Sequence, residues 1–346
     1  MKSRFIAIGL AACMSLAGIA AATATAGATR ASGDQLVGAG STFVAPLVSK
    51  WQADYPSKTG VQIVYSGIGS GGGIAAIQNR TVDFGASDAP LTPDQFSGCK
   101  GCFQIPWALG GTAIMFNLHT NAHAPLKISG PVLAQIYMGQ ITNWNAPALQ
   151  KLNPGINLPD QKITPVYRSD GSGTSYNFTD YLSSVSSSFK SAIGFSTQPS
   201  FKVGVGAKGS SGVAGVVKNT TGAIGYADIA YAITNKITTM AVKNAAGKYT
   251  TPGEVSIAAA AAAFPKVGAN NEMHIVNPPK SAPKAYPIST YTYVIIPQVT
   301  SKAALLKRFV FYALTTGQKL GVPLRYVPIP KAVLVASEKT LNQVHS

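Results

Sequence analysis

Short apolar runs recur along the chain, each followed by a glycine-bearing turn and a segment whose apolar residues return at helical spacing. Gln35 to Ala39 reads as a strand, and the helix after it, Ala45 to Tyr55, carries Leu47, Val48, Trp51 and Tyr55 on one face. Strand Val61 to Tyr65 leads to a short helix from Ser70 to about Gln78, and strand Val82 to Ala86 leads to the turn Ser87-Asp88-Ala89-Pro90. Such alternation with short loops predicts an α/β fold with a mainly parallel sheet. It also puts a ligand site at the carboxyl ends of the strands.

From Trp107 a glycine-broken apolar segment, Ala108 to Phe116, reads as a crossover into a second domain. Helices fit Val132 to Tyr137 and Ala146 to Leu152, and a strand runs from Ile163 to Tyr167 before a helical segment at Tyr176 to Leu182. Downstream lie a strand at Ala223 to Tyr226 and an alanine-rich helix around Val255 to Ala263, where the alanines act as helix formers. After a proline-rich stretch, Ile288 to Ile296 alternates like a strand returning to the first domain. Helices at Lys302 to Thr315 and from about Lys331 would cover it.

Three of the turns share a chemistry. Arg168-Ser169-Asp170-Gly171-Ser172-Gly173-Thr174-Ser175 sits between a strand and a helix start, as do Gly38 to Pro46 and Gly67 to Gly73. A helix start offers backbone N–H groups without intrahelical partners and the positive end of the dipole, and here hydroxyls and a guanidinium surround it. Any one of these turns alone is ordinary capping chemistry; three together suggest a seat for a tetrahedral oxyanion. Asp170, two residues from Arg168, is read as its ion-pair partner or as an Asx-type helix cap, two roles that can coexist.

The first 26 residues have a basic start (Lys2, Arg4), an apolar core from Phe5 through Ala22, and Ala24-Thr25-Ala26 as a small-residue cleavage site. That is the layout of a secretory signal, so residues 1–26 are expected to be removed and the protein exported to the periplasm. A lipoprotein box at Leu10 to Cys13 is the alternative. Its apolar run continues past the cysteine, so a soluble product is preferred. No later stretch offers about 18 uninterrupted apolar residues.

Removal of the first 26 of 346 residues leaves 320, enough for two domains, and loss of Lys2 and Arg4 takes the net charge from +16 to +14. The basic balance fits solubility, a negatively charged envelope, or steering of an anionic ligand. Nucleic acid is not an expected partner, because the lysines form no run of five or six and no dense helical face. Cys99 and Cys102 remain after cleavage. Export favours a small-loop disulfide; a redox pair does not fit a motif that precedes an extended segment, and zinc would need further ligands that His119, His123, His274 and His345 do not supply. Gly204 to Gly209 matches the G-x-G-x-x-G pattern, but late in the chain and with only Asp228 following in a weak context, so it is read as accidental. No metal site and no cofactor are expected.

Four motifs then carry a resemblance: Gly-Ala-Gly-Ser-Thr-Phe at 38–43, Gly-Ile-Gly-Ser at 67–70, Val-Asp-Phe-Gly-Ala-Ser-Asp-Ala-Pro at 82–90 and Asp-Gly-Ser-Gly-Thr-Ser at 170–175. In this order they resemble the phosphate-binding protein of bacterial high-affinity phosphate ABC transporters. The resemblance implies a two-domain periplasmic-binding-protein fold of type II, with two sheets flanked by helices and joined by two crossover strands. Residues 33–112 and 290–346 would form the first domain and 113–289 the second. It also implies a monomer that is no enzyme, with inorganic phosphate and an inner-membrane phosphate permease as partners.

By matching motifs, Thr42 and Phe43 would offer backbone N–H groups, with the Thr42 hydroxyl added, and Ser70 a hydroxyl and N–H. Arg168, Ser172, Gly173 and Thr174 would form the donor cluster from the other domain. Asp88 would be the one acceptor, with Asp170 behind Arg168. Gly71 departs from a serine common at its position, and the Cys99–Cys102 loop is not a general feature of the family. Phosphate at neutral pH keeps a proton that can be donated to Asp88, whereas sulfate has none and meets like charge; such a mismatch rejects an analogue by about 10⁴–10⁵. A secreted enzyme acting on phosphate esters, or a binder of another oxyanion, stands as the alternative.

Overall fold

The computed structural model describes residues 34–346, so the expected leader over residues 1–26 lies outside the described residues. β1 (Gln35–Gly40) feeds α1 (Ala45–Thr59), β2 (Gln62–Gly67) feeds α2 (Ser70–Gln78), and β3 (Phe84–Ser87) ends at the Asp88 turn. α3 (Pro93–Cys99) and the long β4 (Cys102–Phe116) follow, then β5 (Lys127–Ile128), α4 (Gly130–Tyr137) and α5 (Pro147–Leu152). β6 (Thr164–Arg168), α6 (Gly173–Val185), α7 (Ser187–Ala192), β7 (Val205–Ala207), α8 (Gly209–Asn219), β8 (Ala223–Asp228) and α9 (Ile229–Asn235) come next. The chain closes with β9 (Thr238–Thr239), β10 (Ala241–Lys243), β11 (Tyr249–Thr250), α10 (Glu254–Ala262), β12 (Ser289–Pro297), α11 (Ala303–Leu314) and α12 (Lys331–Asn342).

The two expected sheets are continuous. Among the described residues the strands form one nine-stranded sheet along the path β2-β1-β3-β12-β4-β8-β6-β7, with β9 added beside β4, and a small sheet β11-β10-β5. The reason is the length of β4. Its first part pairs antiparallel with β12 from Cys102 to Gly111, and its last part, Thr112 to Phe116, pairs with β8. On either side of this antiparallel seam the strands run parallel, β2-β1-β3 on one and β8-β6-β7 on the other.

All nine residues of β12 are buried. As a central strand it is covered on both sides. Thr292 Oγ1 finds a partner inside, accepting the Trp107 indole N–H at 2.9 Å, whereas the buried Tyr291 hydroxyl has none. Four helices escaped the pattern altogether: α3, α7, α8 and α9. α3 is announced only by a capping box between Thr92 and Gln95, and α8 and α9 are short segments rich in small residues.

Each half has its own core. One centres on Trp51, Trp107 and Phe309, packed edge to face with Trp51 and Trp107 rings 5.0 Å apart. The other centres on Tyr137, Phe178 and Tyr226, the last two stacked at 4.1 Å. The Cys99–Cys102 disulfide lies in a smaller cluster with Ile74 and Ile77, behind α2 and away from the strand ends.

α2 can reach the sheet only because its first turn lacks a side chain. A Cβ on Gly73 would come within 2.4 Å of Gly40 Cα, 2.7 Å of Ala39 O and 2.8 Å of Ala86 O, all backbone. Gly73→Ala is therefore expected to lower stability by about 1–3 kcal/mol or more, read as a shift of the urea midpoint. An unchanged midpoint would show that α2 slides freely over β1 and β3.

Candidate functional site

Parallel strands end side by side, so the turns that leave them gather: Gly40 is paired with Gly67 and Ala86 in one half, and Arg168 with Ala207 in the other. Ser41 and Thr42 lie between β1 and α1, Ser70 opens α2, and Asp88 follows β3. From the other half come Arg168 at the end of β6, Ser172 to Thr174 at the start of α6, and Ser210 at the start of α8. All are buried. The starts of α1, α2, α6 and α8 thus bring their N–H groups and positive dipole ends to one place.

The Arg168 guanidinium forks onto Asp170, Nε to Oδ1 at 2.7 Å and Nη2 to Oδ2 at 2.5 Å, while Nη1 donates to Ser210 Oγ at 3.3 Å. Burial acts to raise the Asp170 carboxyl, but the Arg168 bonds and charge and the Gly209 N–H outweigh it and hold it below the usual range. Of the two readings of Asp170, the structure has the ion pair. The cap of α6 falls to Ser172, whose Oγ accepts the Ser175 N–H at 3.1 Å, and Asp170 accepts the Gly209 N–H at 2.9 Å.

Ser210 also ties the two halves together. Its Oγ lies 2.9 Å from Thr42 Oγ1, and its N–H donates to the same oxygen at 3.1 Å. Ser70 Oγ accepts from the N–H groups of both Gly173 (3.0 Å) and Asp88 (3.2 Å), and the Gly71 N–H donates to Gly171 O at 3.0 Å. The Phe43 N–H is taken by Ser41 Oγ at 3.0 Å.

Asp88 stands at the centre of this arrangement. Its carboxylate accepts from the hydroxyls of Ser41 and Thr174, the latter at 3.3 Å, and its backbone oxygen accepts from Asn177 Nδ2 at 2.7 Å. Burial pushes the carboxyl up to about 6, against the lowering pull of the Ser41 hydroxyl, the Arg168 charge and the Thr174 and Ser70 hydroxyls. Gly173 has to be glycine here. A Cβ on it would lie 2.6 Å from Ala89 N and 2.7 Å from Asp88 Cβ.

One face of α6 extends this junction. Gly173, Asn177 and Asp180 follow at helical spacing, and Asp180 Oδ2 meets His274 Nε2 at 2.5 Å. Asp180 lies on a helix of the second core, whereas Met273 and Ile275, the neighbours of His274, belong to the first.

Several residues of the site left no motif-level signal. Ser41 precedes the expected Thr42 and supplies the bond to Asp88. Ser210 lies just past the G-x-G-x-x-G match, whose glycines span β7 and the start of α8; the strand, glycine turn and hydroxyl-bearing helix start at Lys208-Gly209-Ser210 repeat the device of the other turns and were the available clue. Asp228 caps α9, with Oδ1 accepting the Ala230 N–H at 2.9 Å and Oδ2 unpartnered. Burial holds its carboxyl well above the usual range.

Fold and residue cluster together suit a ligand-binding protein with a candidate site between two α/β halves. In agreement, the family model described as a PBP superfamily domain matches residues 22–316. The chain is 42% identical over 299 residues to the phosphate-binding protein PstS of Xylella fastidiosa (strain Temecula1), covering 86% of this chain and 82% of that one. It is 36% identical over 302 residues to PstS of Pasteurella multocida, covering 86% and 87%. The chain belongs to the PstS family of phosphate-binding proteins. Its fold is similar to that of a high-affinity periplasmic phosphate-binding protein solved with phosphate, with a TM-score of 0.72 at 22% identity over 88% of this chain and 93% of that one. A phosphate-binding protein from Stenotrophomonas maltophilia gives a TM-score of 0.67, also at 22% identity, over 88% and 93%.

The raised Asp88 carboxyl has a consequence for stability. Ionised Asp88 is disfavoured in the fold, so the cost is absent below about pH 4, where folded and unfolded chains both hold the proton, and complete above about pH 6. Without phosphate, Asp88→Asn is expected to be more stable than the parent at pH 8 by up to about 3 kcal/mol, with the gain vanishing near pH 4. Urea titrations of both proteins across this range check it; a difference independent of pH would contradict it.

Proposed function

We propose that the protein binds inorganic phosphate between its two halves and delivers it to an inner-membrane ABC permease for uptake. The observation that carries this reading is Asp88: a buried carboxylate facing Arg168's charge, ringed by hydroxyls and helix starts. An anion taken from water into such a place needs its oxygens satisfied, since each unmet bond costs about 1–3 kcal/mol. Thr42, Phe43, Ser70, Arg168, Ser172, Gly173 and Thr174 would supply donors, with Asp170 holding the guanidinium. Asp88 would accept the proton that phosphate carries, which makes phosphate preferred over sulfate.

In this reading residues 33–112 with 290–346 and residues 113–289 act as two domains hinged at β4 and the entry to β12. Bonds such as Ser70 with Gly173 and Thr42 with Ser210 belong to the closed form, and ligand binding shifts the population towards it. The chain acts as a monomer in the periplasm after loss of residues 1–26, and the positive charge aids capture of the anion. Membership in a transport family supports a binding role over the ester-cleaving alternative.

Equilibrium dialysis with labelled phosphate, and with sulfate and arsenate as competitors, tests the ligand. Preference for phosphate over sulfate of about 10⁴–10⁵ is expected, and Asp88→Asn should lose most of it while still binding phosphate. A parent protein that prefers sulfate would overturn the assignment, as would sustained turnover of a chromogenic phosphate ester.

A further inference from the structure

Three consecutive carbonyls in the turn between β1 and α1 are each held by a tyrosine hydroxyl from a different part of the fold. Tyr65 on β2 donates to Ser41 O at 2.8 Å, Tyr231 on α9 to Thr42 O at 2.6 Å, and Tyr326 to Phe43 O at 2.5 Å. We infer that Tyr65, Tyr231 and Tyr326 are positioning residues for anion binding, which aim the N–H groups of the Ser41–Val44 turn by gripping the opposite edges of its peptide planes. The inference rests on the phosphate-binding reading and adds residues to it.

The physical basis is the planar trans peptide. The carbonyl of one residue and the N–H of the next share a plane and point in opposite directions, so fixing one aims the other. Tyr65, through Ser41 O, sets the Thr42 N–H; Tyr231, through Thr42 O, sets the Phe43 N–H. These are the two amides expected to meet the anion, the Phe43 N–H by exchanging Ser41 Oγ, its acceptor at 3.0 Å, for the anion. Tyr326, through Phe43 O, sets the Val44 N–H, which is given to Ser41 Oγ at 3.3 Å. Among the described residues the Thr42 N–H has no protein acceptor, and Thr42 is 5% exposed.

The grip also removes a repulsion. A carbonyl dipole turned towards an anion opposes binding, and three donors draw these oxygens to the far side of the turn. Aromatic packing limits how far the hydroxyls can wander: the Tyr65 ring stacks on Phe84 at 6.1 Å, and the Tyr326 ring meets the Phe43 ring edge-on at 6.3 Å. Burial raises all three phenols, so each keeps its proton and remains a donor. Tyr231 reaches Thr42 from the second half, so its bond also ties the turn to closure.

Tyr65→Phe, Tyr231→Phe and Tyr326→Phe test this by phosphate dialysis at 25 °C, together with the ¹H–¹⁵N shifts of the Thr42 and Phe43 amides on adding inorganic phosphate. Tyr65→Phe and Tyr231→Phe are expected to weaken phosphate binding about tenfold each, and Tyr326→Phe less. In the parent both amides should move downfield on binding; in Tyr65→Phe the Thr42 signal should lose most of that movement, and in Tyr231→Phe the Phe43 signal. Variants with lowered melting temperature but parental affinity would overturn the inference, since that is the mark of a purely structural role. If a variant fails to fold, the parent's amide shifts still decide: no movement on phosphate binding refutes the aimed donors. A parent that binds no phosphate would instead sink the functional reading itself.

Discussion

A carboxylate is hard to bury, and this fold buries one at the junction of its two halves. Asp88 is 1% exposed, and each of its polar groups is engaged: the N–H with Ser70, the backbone oxygen with Asn177, the side chain with Ser41 and Thr174. Two of those partners belong to each half. The position of Asp88 is therefore over-determined, and the raised carboxyl is the energetic trace of that confinement. A group so placed costs stability once it is ionised.

The architecture follows from where the parallel strands stop. Four helices begin at the gathered strand ends, and each start brings donors that no strand or helix interior could offer. Arg168 is kept from collapsing onto Asp88 because Asp170 holds its fork, leaving Nη1 turned to Ser210. Close approach is bought with small residues, as at Gly173 against the Asp88 turn. The antiparallel pair β4 and β12 joins the halves and is buried along nearly its whole length.

Around this centre the turn from β1 to α1 shows how polar backbone is managed without water. Its carbonyls go to tyrosines on one side, and two of its N–H groups go to Ser41 Oγ on the other. Both edges of each peptide are accounted for, apart from the Thr42 N–H. Family membership agrees with a site built from backbone and hydroxyl donors, since such donors read the geometry of an anion without committing to chemistry on it.

The amino-acid sequence by itself determined the local devices: strand, glycine turn and hydroxyl-bearing helix start at residues 38–46, 67–73 and 168–175. Caps and turns depend on residues within about four positions, so their chemistry is written where it acts. Tertiary structure alone decided which turns face one another, that two expected sheets are one, and that Ser210 joins Thr42 across 168 residues. Tyr326 and Phe43, 283 residues apart, could not have been paired from the chain. A hydrogen bond between distant residues leaves no periodicity and no spacing behind it; only the order of strands in the sheet brings its two ends together.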